Sequence, residues 1–308
     1  MCVAVAVVVS SSNPDSSLGQ SFVTRSRGSA PVARTIALAS ADGTLLHASL
    51  FPSRYPAAGL LLVHGLQSHA GWFEASDTAR ELADAGITSL AYDRRGSGRS
   101  AGVTGHAESA GDFLMDLEAA TSALRRELPA GAPLHALANC FGTRTVLLYA
   151  AEHPGAFRSL VLTAPATHMT RHASYGFRQR LSIALAASRT RVPTPLRDED
   201  FVSPGPWLDW IRRDPLALRS VTAGFLRSAQ RLTRRMQAAI PRLRVPLLVV
   251  LSRRDVLVEN EAIRRSFVGS YAGPTRLLEY DTDHYVDFTN ARPEFERELE
   301  AWLLGQRP

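Results

Sequence analysis

A chain of 308 residues, 45% hydrophobic and 21% charged, is long enough for one large α/β domain with an insertion, or for two small domains. Its two cysteines, Cys2 and Cys140, lie at opposite ends of the expected fold, so no disulfide framework is indicated and a reducing, cytoplasmic setting fits. The net charge of +6 is unevenly spread: residues 170–245 carry 15 arginines against five carboxylates, a local balance of +10, so the remainder is near −4. These arginines are not interleaved with aromatics in any nucleic-acid motif, so nucleic acid is not an expected partner.

Residues 2–9, CVAVAVVV, are apolar but too few to span a bilayer, and no basic segment precedes them. With the Ser/Asn/Pro/Gly-rich run that follows, residues 1–31 read as a flexible leader outside the fold, and no stable membrane insertion is expected. From residue 32, the runs ARTIALAS and TLLHASLF flank Ala41-Asp42-Gly43 and open the domain as a β-hairpin. The short run 60–63 is a buried strand delivering His64-Gly65-Leu66. Ala75, Ala79 and Leu82 recur at helical spacing until Gly86, and 87–92 forms a strand ending in Asp93-Arg94-Arg95-Gly96-Ser97-Gly98, read as a tight structural turn. Phe113, Leu117, Ala120 and Leu124 mark a helix before a strand at 134–139. A further helix runs to Pro154, and 160–164 is the next strand. Strands alternating with helices imply right-handed crossovers and a mostly parallel sheet covered on both faces. The loops after Val63, Tyr92, Ala138 and Ala164 then share the carboxyl edge, where such sheets bind ligands.

The alternation stops after Pro165. Residues 168–245 hold a helical stripe of Phe225, Ala229, Leu232 and Met236, several prolines, Trp207 and Trp210, and no strand run. They read as a helical cap over the strand ends, inserted into a core of 32–167 and 246–308. Strands resume at 246–251 and 276–280. An amphipathic helix around Phe295, Leu299 and Trp302 closes the chain.

Within this frame, LHALANCFGTRT (134–145) runs from strand through turn into helix with Cys140 at the turn. Ala138-Asn139-Cys140-Phe141-Gly142 has the shape of a nucleophile elbow, whose flanking positions must be small for strand and helix to approach. A buried cysteine is more commonly a small hydrophobe. Two further residues argue for chemistry here: Asp255 lies four residues beyond Leu251 and His284 four beyond Tyr280, each in a loop leaving the same sheet edge. A thiol can attack a carbonyl, an imidazole can take and return its proton, and a carboxylate can fix the imidazole tautomer. Glu259, Asp281 and Asp283 are the alternatives to Asp255. His69, His168 and His172 lack the clustered carboxylates or thiols of a metal site, and no cofactor is called for.

With LLLVHGLQSHAGWF (60–73), AYDRRGSGRS (91–100), ANCFG (138–142), VPLLVVLSRRDVLV (245–258) and TDHYVDF (282–288), the chain resembles the α/β-hydrolases of the monoacylglycerol lipase and lysophospholipase-like group. The resemblance implies the α/β-hydrolase fold, a triad of Cys140, Asp255 and His284, and an oxyanion hole built from the backbone N–H groups of Leu66 and Phe141. It departs at the nucleophile, which is serine in that group. Dienelactone hydrolases, polyhydroxyalkanoate synthases, some acyltransferases and certain Dieckmann-type cyclases are similar in using cysteine on this fold.

A cysteine nucleophile favours thioesters and activated esters, because the adduct with an ordinary oxygen ester expels the thiolate and returns to reactants. The expected activity is therefore (thio)ester cleavage through an acyl-cysteine. The alternative is acyl transfer, cyclisation or elimination in natural-product biosynthesis, and a non-catalytic binding module is a third reading. The cap arginines are expected to meet coenzyme A or an acyl carrier protein through its phosphopantetheine. Trp207, Trp210, Phe225 and Met236 are expected to line the acyl channel.

Overall fold

The computed structural model describes residues 32–305 and the backbone of residues 6–7. β1 (Ala6–Val7) pairs parallel with Arg276 and Leu277, so the leader, expected outside the fold, contributes two residues to a sheet edge. The other residues of the expected leader lie outside the described ones. β2 (Arg34–Ala39) and β3 (Leu45–Phe51) form the expected antiparallel hairpin.

β4 (Ala58–Val63) is buried along its whole length, as a strand covered on both faces must be. The helical spacing that follows resolves into two helices, α1 (Ala70–Ala75) and α2 (Thr78–Asp84). They are separated at Asp77, whose φ of 61° is left-handed and cannot continue a helix. β5 (Ile87–Tyr92) precedes α3 (Ala110–Arg126), which opens on a capping box. There, Ser109 Oγ accepts from the Asp112 N–H and the Asp112 carboxylate accepts from the Ser109 N–H. Next come β6 (Leu134–Asn139), α4 (Gly142–Glu152) and β7 (Ser159–Thr163).

The insertion contains α5 (Phe177–Leu185), β8 (Arg191–Pro193), α6 (Pro206–Arg213), β9 (Ser220–Thr222) and α7 (Ala223–Ala239). It is therefore not purely helical: β8 and β9 pair antiparallel, Val192 opposite Val221. Strands of three residues are too short to show an alternating pattern, which is why the sequence gives no sign of them. The stripe of Phe225, Ala229, Leu232 and Met236 on α7 is buried as α7 packs on α3 and α4. The chain returns to the sheet with β10 (Leu247–Ser252), α8 (Asn260–Arg264), β11 (Thr275–Tyr280) and the terminal α9 (Arg292–Gly305).

Among the described residues the main sheet has the order β1-β11-β10-β7-β6-β4-β5-β3-β2, parallel from β1 to β5 and antiparallel in the hairpin. It is the α/β-hydrolase fold expected from the sequence. The parallel order brings the carboxyl ends of β4, β6, β7, β10 and β11 to one edge beneath the insertion. No helix of the described residues is long and apolar enough to cross a membrane.

Candidate active site

Cys140 occupies the turn between β6 and α4 with φ of +47°, a left-handed conformation that costs a non-glycine residue about 1–2 kcal/mol. Its neighbours hold it there. The Cys140 N–H donates to the Thr163 carbonyl at 3.0 Å, and its carbonyl accepts from the N–H groups of Thr143 and Ala166, both at 3.2 Å, and from the Thr143 hydroxyl at 2.6 Å. Gly142 must be glycine, because a Cβ there would come within 2.6 Å of the Val63 carbonyl and 2.8 Å of that of His64. The elbow thus presses α4 against the end of β4, and the small residues at 138 and 142 permit that approach.

Asp255 and His284 meet as the strand pattern predicts. Oδ2 of Asp255 lies 2.7 Å from Nδ1 of His284, and both side chains are wholly buried. Since a carboxylate only accepts, Nδ1 carries the proton. Oδ1 of Asp255 accepts from the N–H groups of Leu257 and Val258, which fixes the carboxylate in turn. Nε2 of His284 has no hydrogen-bond partner and faces the Cys140 thiol. Burial alone would depress the imidazole pKa, but Asp255 and Cys140 override it and push it up to about 10. The alternative acids are engaged elsewhere: Asp283 accepts from Ser203 and Arg254, Asp281 pairs with Arg254, and Glu259 is exposed.

Phe141 follows Cys140 in the elbow, and Leu66 lies in the loop after β4. Among the described residues, neither backbone N–H donates to another group. The direction of the Leu66 N–H follows from Arg94, which the sequence reading assigned to a structural turn. The Arg94 guanidinium is buried and donates to the carbonyls of Gly65 at 2.7 Å and Leu66 at 2.5 Å. In a trans peptide the C=O and N–H point opposite ways, so drawing the Gly65 carbonyl to Arg94 turns the Leu66 N–H away from it. The same guanidinium packs 5.3 Å from the Phe141 ring centroid, and Arg144 packs on that ring at 5.3 Å. Burial lowers the Arg94 pKa to about 10, which leaves it a cation at neutral pH. A buried arginine whose nearest partners are backbone carbonyls carries no sequence signature beyond the DRRGSG string itself.

The residues expected to line an acyl channel divide. Trp207 borders a groove of about 880 Å³ with Val202, Pro206, Arg253, Arg254 and Phe288, and stacks on Phe288 at 4.6 Å. Trp210 packs edge-on against Trp72 instead. Phe225 and Met236 are fully buried in the main core, Phe225 against Phe113 and Phe141. No sequence signal singled out Phe201, yet this cap residue seals the site. Its ring stacks on Tyr285 at 5.5 Å and meets His284 edge-on at 5.6 Å. Cys140 is 2% exposed and His284 1%, so the site is closed in this conformation.

Comparison with known proteins agrees with this architecture. The chain is 28% identical over 209 residues to a monoacylglycerol lipase of Mycolicibacterium smegmatis, covering 67% of this chain and 73% of that one. It is 26% identical over 227 residues to human monoglyceride lipase, covering 73% and 74%. The crystal structure of Paleococcus ferrophilus monoacylglycerol lipase superposes with a TM-score of 0.73 at 21% identity, over 85% of this chain and 99% of that one. The family model for serine aminopeptidase, S33 (Hydrolase_4) matches residues 54–282. The chain belongs to that family, and it is an enzyme of the α/β-hydrolase fold.

Proposed function

We propose that this enzyme cleaves acyl thioesters or activated esters through an acyl-Cys140 intermediate, with His284 as base and acid and Asp255 as its orienting carboxylate. Its relatives are named as lipases of monoacylglycerols, which supports an esterase or lipase class of chemistry on small acyl substrates. The observation that carries the finer reading is the left-handed Cys140 facing the free nitrogen of a buried His284–Asp255 pair.

In the proposed reaction the Cys140 thiolate adds to the substrate carbonyl and the carbonyl π pair moves to oxygen, beside the N–H groups of Leu66 and Phe141. Collapse breaks the bond to the leaving thiol, which departs with the proton held on Nε2 of His284. Water then gives a proton to His284 and adds to the acyl group. The second collapse releases the carboxylic acid and regenerates Cys140.

Cysteine at the elbow favours thioesters because attacking and departing sulfur are then balanced as leaving groups. The acyl donor is proposed to be linked to coenzyme A or to a carrier protein. In support, Arg178, Arg180, Arg189, Arg213, Arg231 and Arg234 are exposed on the cap and pair with no carboxylate among the described residues. A second reading, transfer to an acceptor other than water, draws support from the sealed site, since excluding water lengthens the life of an acyl-cysteine.

Intact-mass spectrometry of the protein with a panel of acyl-CoA and acyl-carrier thioesters tests both readings. An acyl adduct on Cys140 that water removes supports hydrolysis. One that persists until an amine, alcohol or carbon nucleophile is added supports transfer. Turnover without any adduct, and retained by Cys140→Ala, would refute the covalent mechanism.

A further inference from the structure

Tyr285 follows His284 directly, and its side chain turns back toward the nucleophile. It is 3% exposed, and its ring is fixed by stacking on Phe201 and by an edge contact with Trp72 at 5.4 Å. The hydroxyl lies 3.2 Å from Ser68 Oγ. It also lies against the bare Cα of Gly65: a methyl group built there would collide with the Tyr285 hydroxyl and stand 3.2 Å from Ser68 Oγ and 3.3 Å from Cys140 Cβ. Two hydroxyls and the nucleophile therefore converge on one face of the loop that carries the Leu66 N–H.

From this convergence we propose that the Tyr285 hydroxyl is a third donor to the oxyanion of the tetrahedral intermediate, backed by Ser68. The proposal rests on the acyl-Cys140 reading. As the Sγ–C bond forms and the carbonyl pair moves to oxygen, the Tyr285 O–H hydrogen-bonds the new oxyanion while Ser68 donates to the Tyr285 oxygen. No proton is transferred, and the hydrogen bond relaxes when the carbonyl re-forms.

A phenol can take this part because it is a neutral donor at working pH. Burial and the neighbouring Cys140 and Asp287 hold the Tyr285 pKa well above its ordinary value, against the Ser68 hydrogen bond and then Arg94, which oppose the rise. A hydrogen bond from such a group strengthens as negative charge develops on the carbonyl oxygen, so it favours the transition state more than the bound substrate.

Tyr285→Phe keeps the ring and its stacking and removes the donor. Turnover of p-nitrophenyl butyrate is expected to fall about ten- to a hundredfold in kcat with KM little changed, less than for loss of a sole donor because two backbone N–H groups remain. Octanal, which forms a hemithioacetal with a nucleophilic cysteine, separates this role from packing. Its affinity should fall by the same factor, whereas alkylation of Cys140 by iodoacetamide, which develops no oxyanion, should keep its rate. Ser68→Ala should give a smaller loss of the same kind, and it serves as the test variant if Tyr285→Phe does not fold. Equal octanal affinity in wild type and variant, or parallel losses in octanal binding and alkylation, would overturn the assignment of Tyr285 alone. Failure of the wild-type chain to form any octanal adduct at Cys140 would overturn the acyl-Cys140 reading, and this assignment with it.

Discussion

The Arg94 guanidinium donates to the Gly65 carbonyl at 2.7 Å, and so fixes the orientation of the peptide that bears the Leu66 N–H. If that N–H serves the oxyanion, Arg94 is a positioning residue for it although it touches no reacting atom. Arg94→Leu should lower kcat by about a hundredfold, near the loss of one oxyanion donor, with KM little affected. Removing the guanidinium should also leave the half-buried Leu66 carbonyl without its donor, at a cost of about 1–3 kcal/mol in stability, while the Gly65 carbonyl keeps Nδ1 of His64 at 2.9 Å. Steady-state kinetics and thermal unfolding on the same variant check the two effects. A drop in stability with kcat intact would mean that Arg94 only holds the loop together.

The His284 imidazole gives a pH signature. Its pKa is pushed up to about 10 in the folded chain, above the ordinary 6.5. A raised value means that the imidazolium contributes stability fully below about pH 6.5, and that this contribution is lost as the pH climbs through about 10. The thermal midpoint of wild type relative to His284→Gln should therefore shrink across that window. Asp255→Asn, which removes the carboxylate, should narrow the window and lower turnover while the chain still folds. A stability difference that stays flat from pH 6.5 to 10 would contradict the buried ion pair.

How much of this was legible in the sequence depends on the range of the interaction. The elbow and the positions of Asp255 and His284 are each set by local pattern: a small residue on either side of the turn, or a fixed distance beyond an apolar strand. In the structure all three lie at the carboxyl ends of their strands, and Asp255 meets His284. Arg94, Tyr285 and Phe201 were not legible in this way, because what each does depends on a partner distant in the chain, such as Gly65 for Arg94, Ser68 for Tyr285 and His284 for Phe201. Periodicity reports which residues are buried, not what they face once buried. The same reason explains Phe225 and Met236, whose helical stripe marked an apolar face correctly but packs that face on the core.

Phe201 makes the closed state testable. It is fully buried, stacked on Tyr285 and edge-on to His284, and its backbone carbonyl accepts from the Tyr285 N–H at 3.2 Å. Substrate must displace this ring or the cap segment that carries it. Phe201→Ala should raise the rate of Cys140 alkylation by iodoacetamide about tenfold or more, which corresponds to opening made easier by about 1.4 kcal/mol. The cavity should cost about 3–5 kcal/mol in stability. An unchanged alkylation rate in a folded variant would show that access to Cys140 runs by a route that Phe201 does not block.

The proposed role of Cys140 as nucleophile separates the thioester reading from ordinary lipolysis. In the tetrahedral adduct of an oxygen ester, the Cys140 thiolate is a better leaving group than the alkoxide, so most adducts revert. With a thioester, the two sulfur groups depart with similar ease. Cys140→Ser removes that bias, because an alkoxide nucleophile no longer leaves in preference to the alcohol. A serine hydroxyl is also a weaker nucleophile than a thiol of the same geometry, so absolute rates on both substrates should fall. The quantity to follow is the ratio of kcat/KM for an oxygen ester to that for the thioester of the same acyl group. That ratio should rise at least about tenfold in Cys140→Ser, a shift of about 1.4 kcal/mol in relative transition-state energy. If the ratio is unchanged, the identity of the nucleophile does not set the substrate class, and the specificity must reside in the cap.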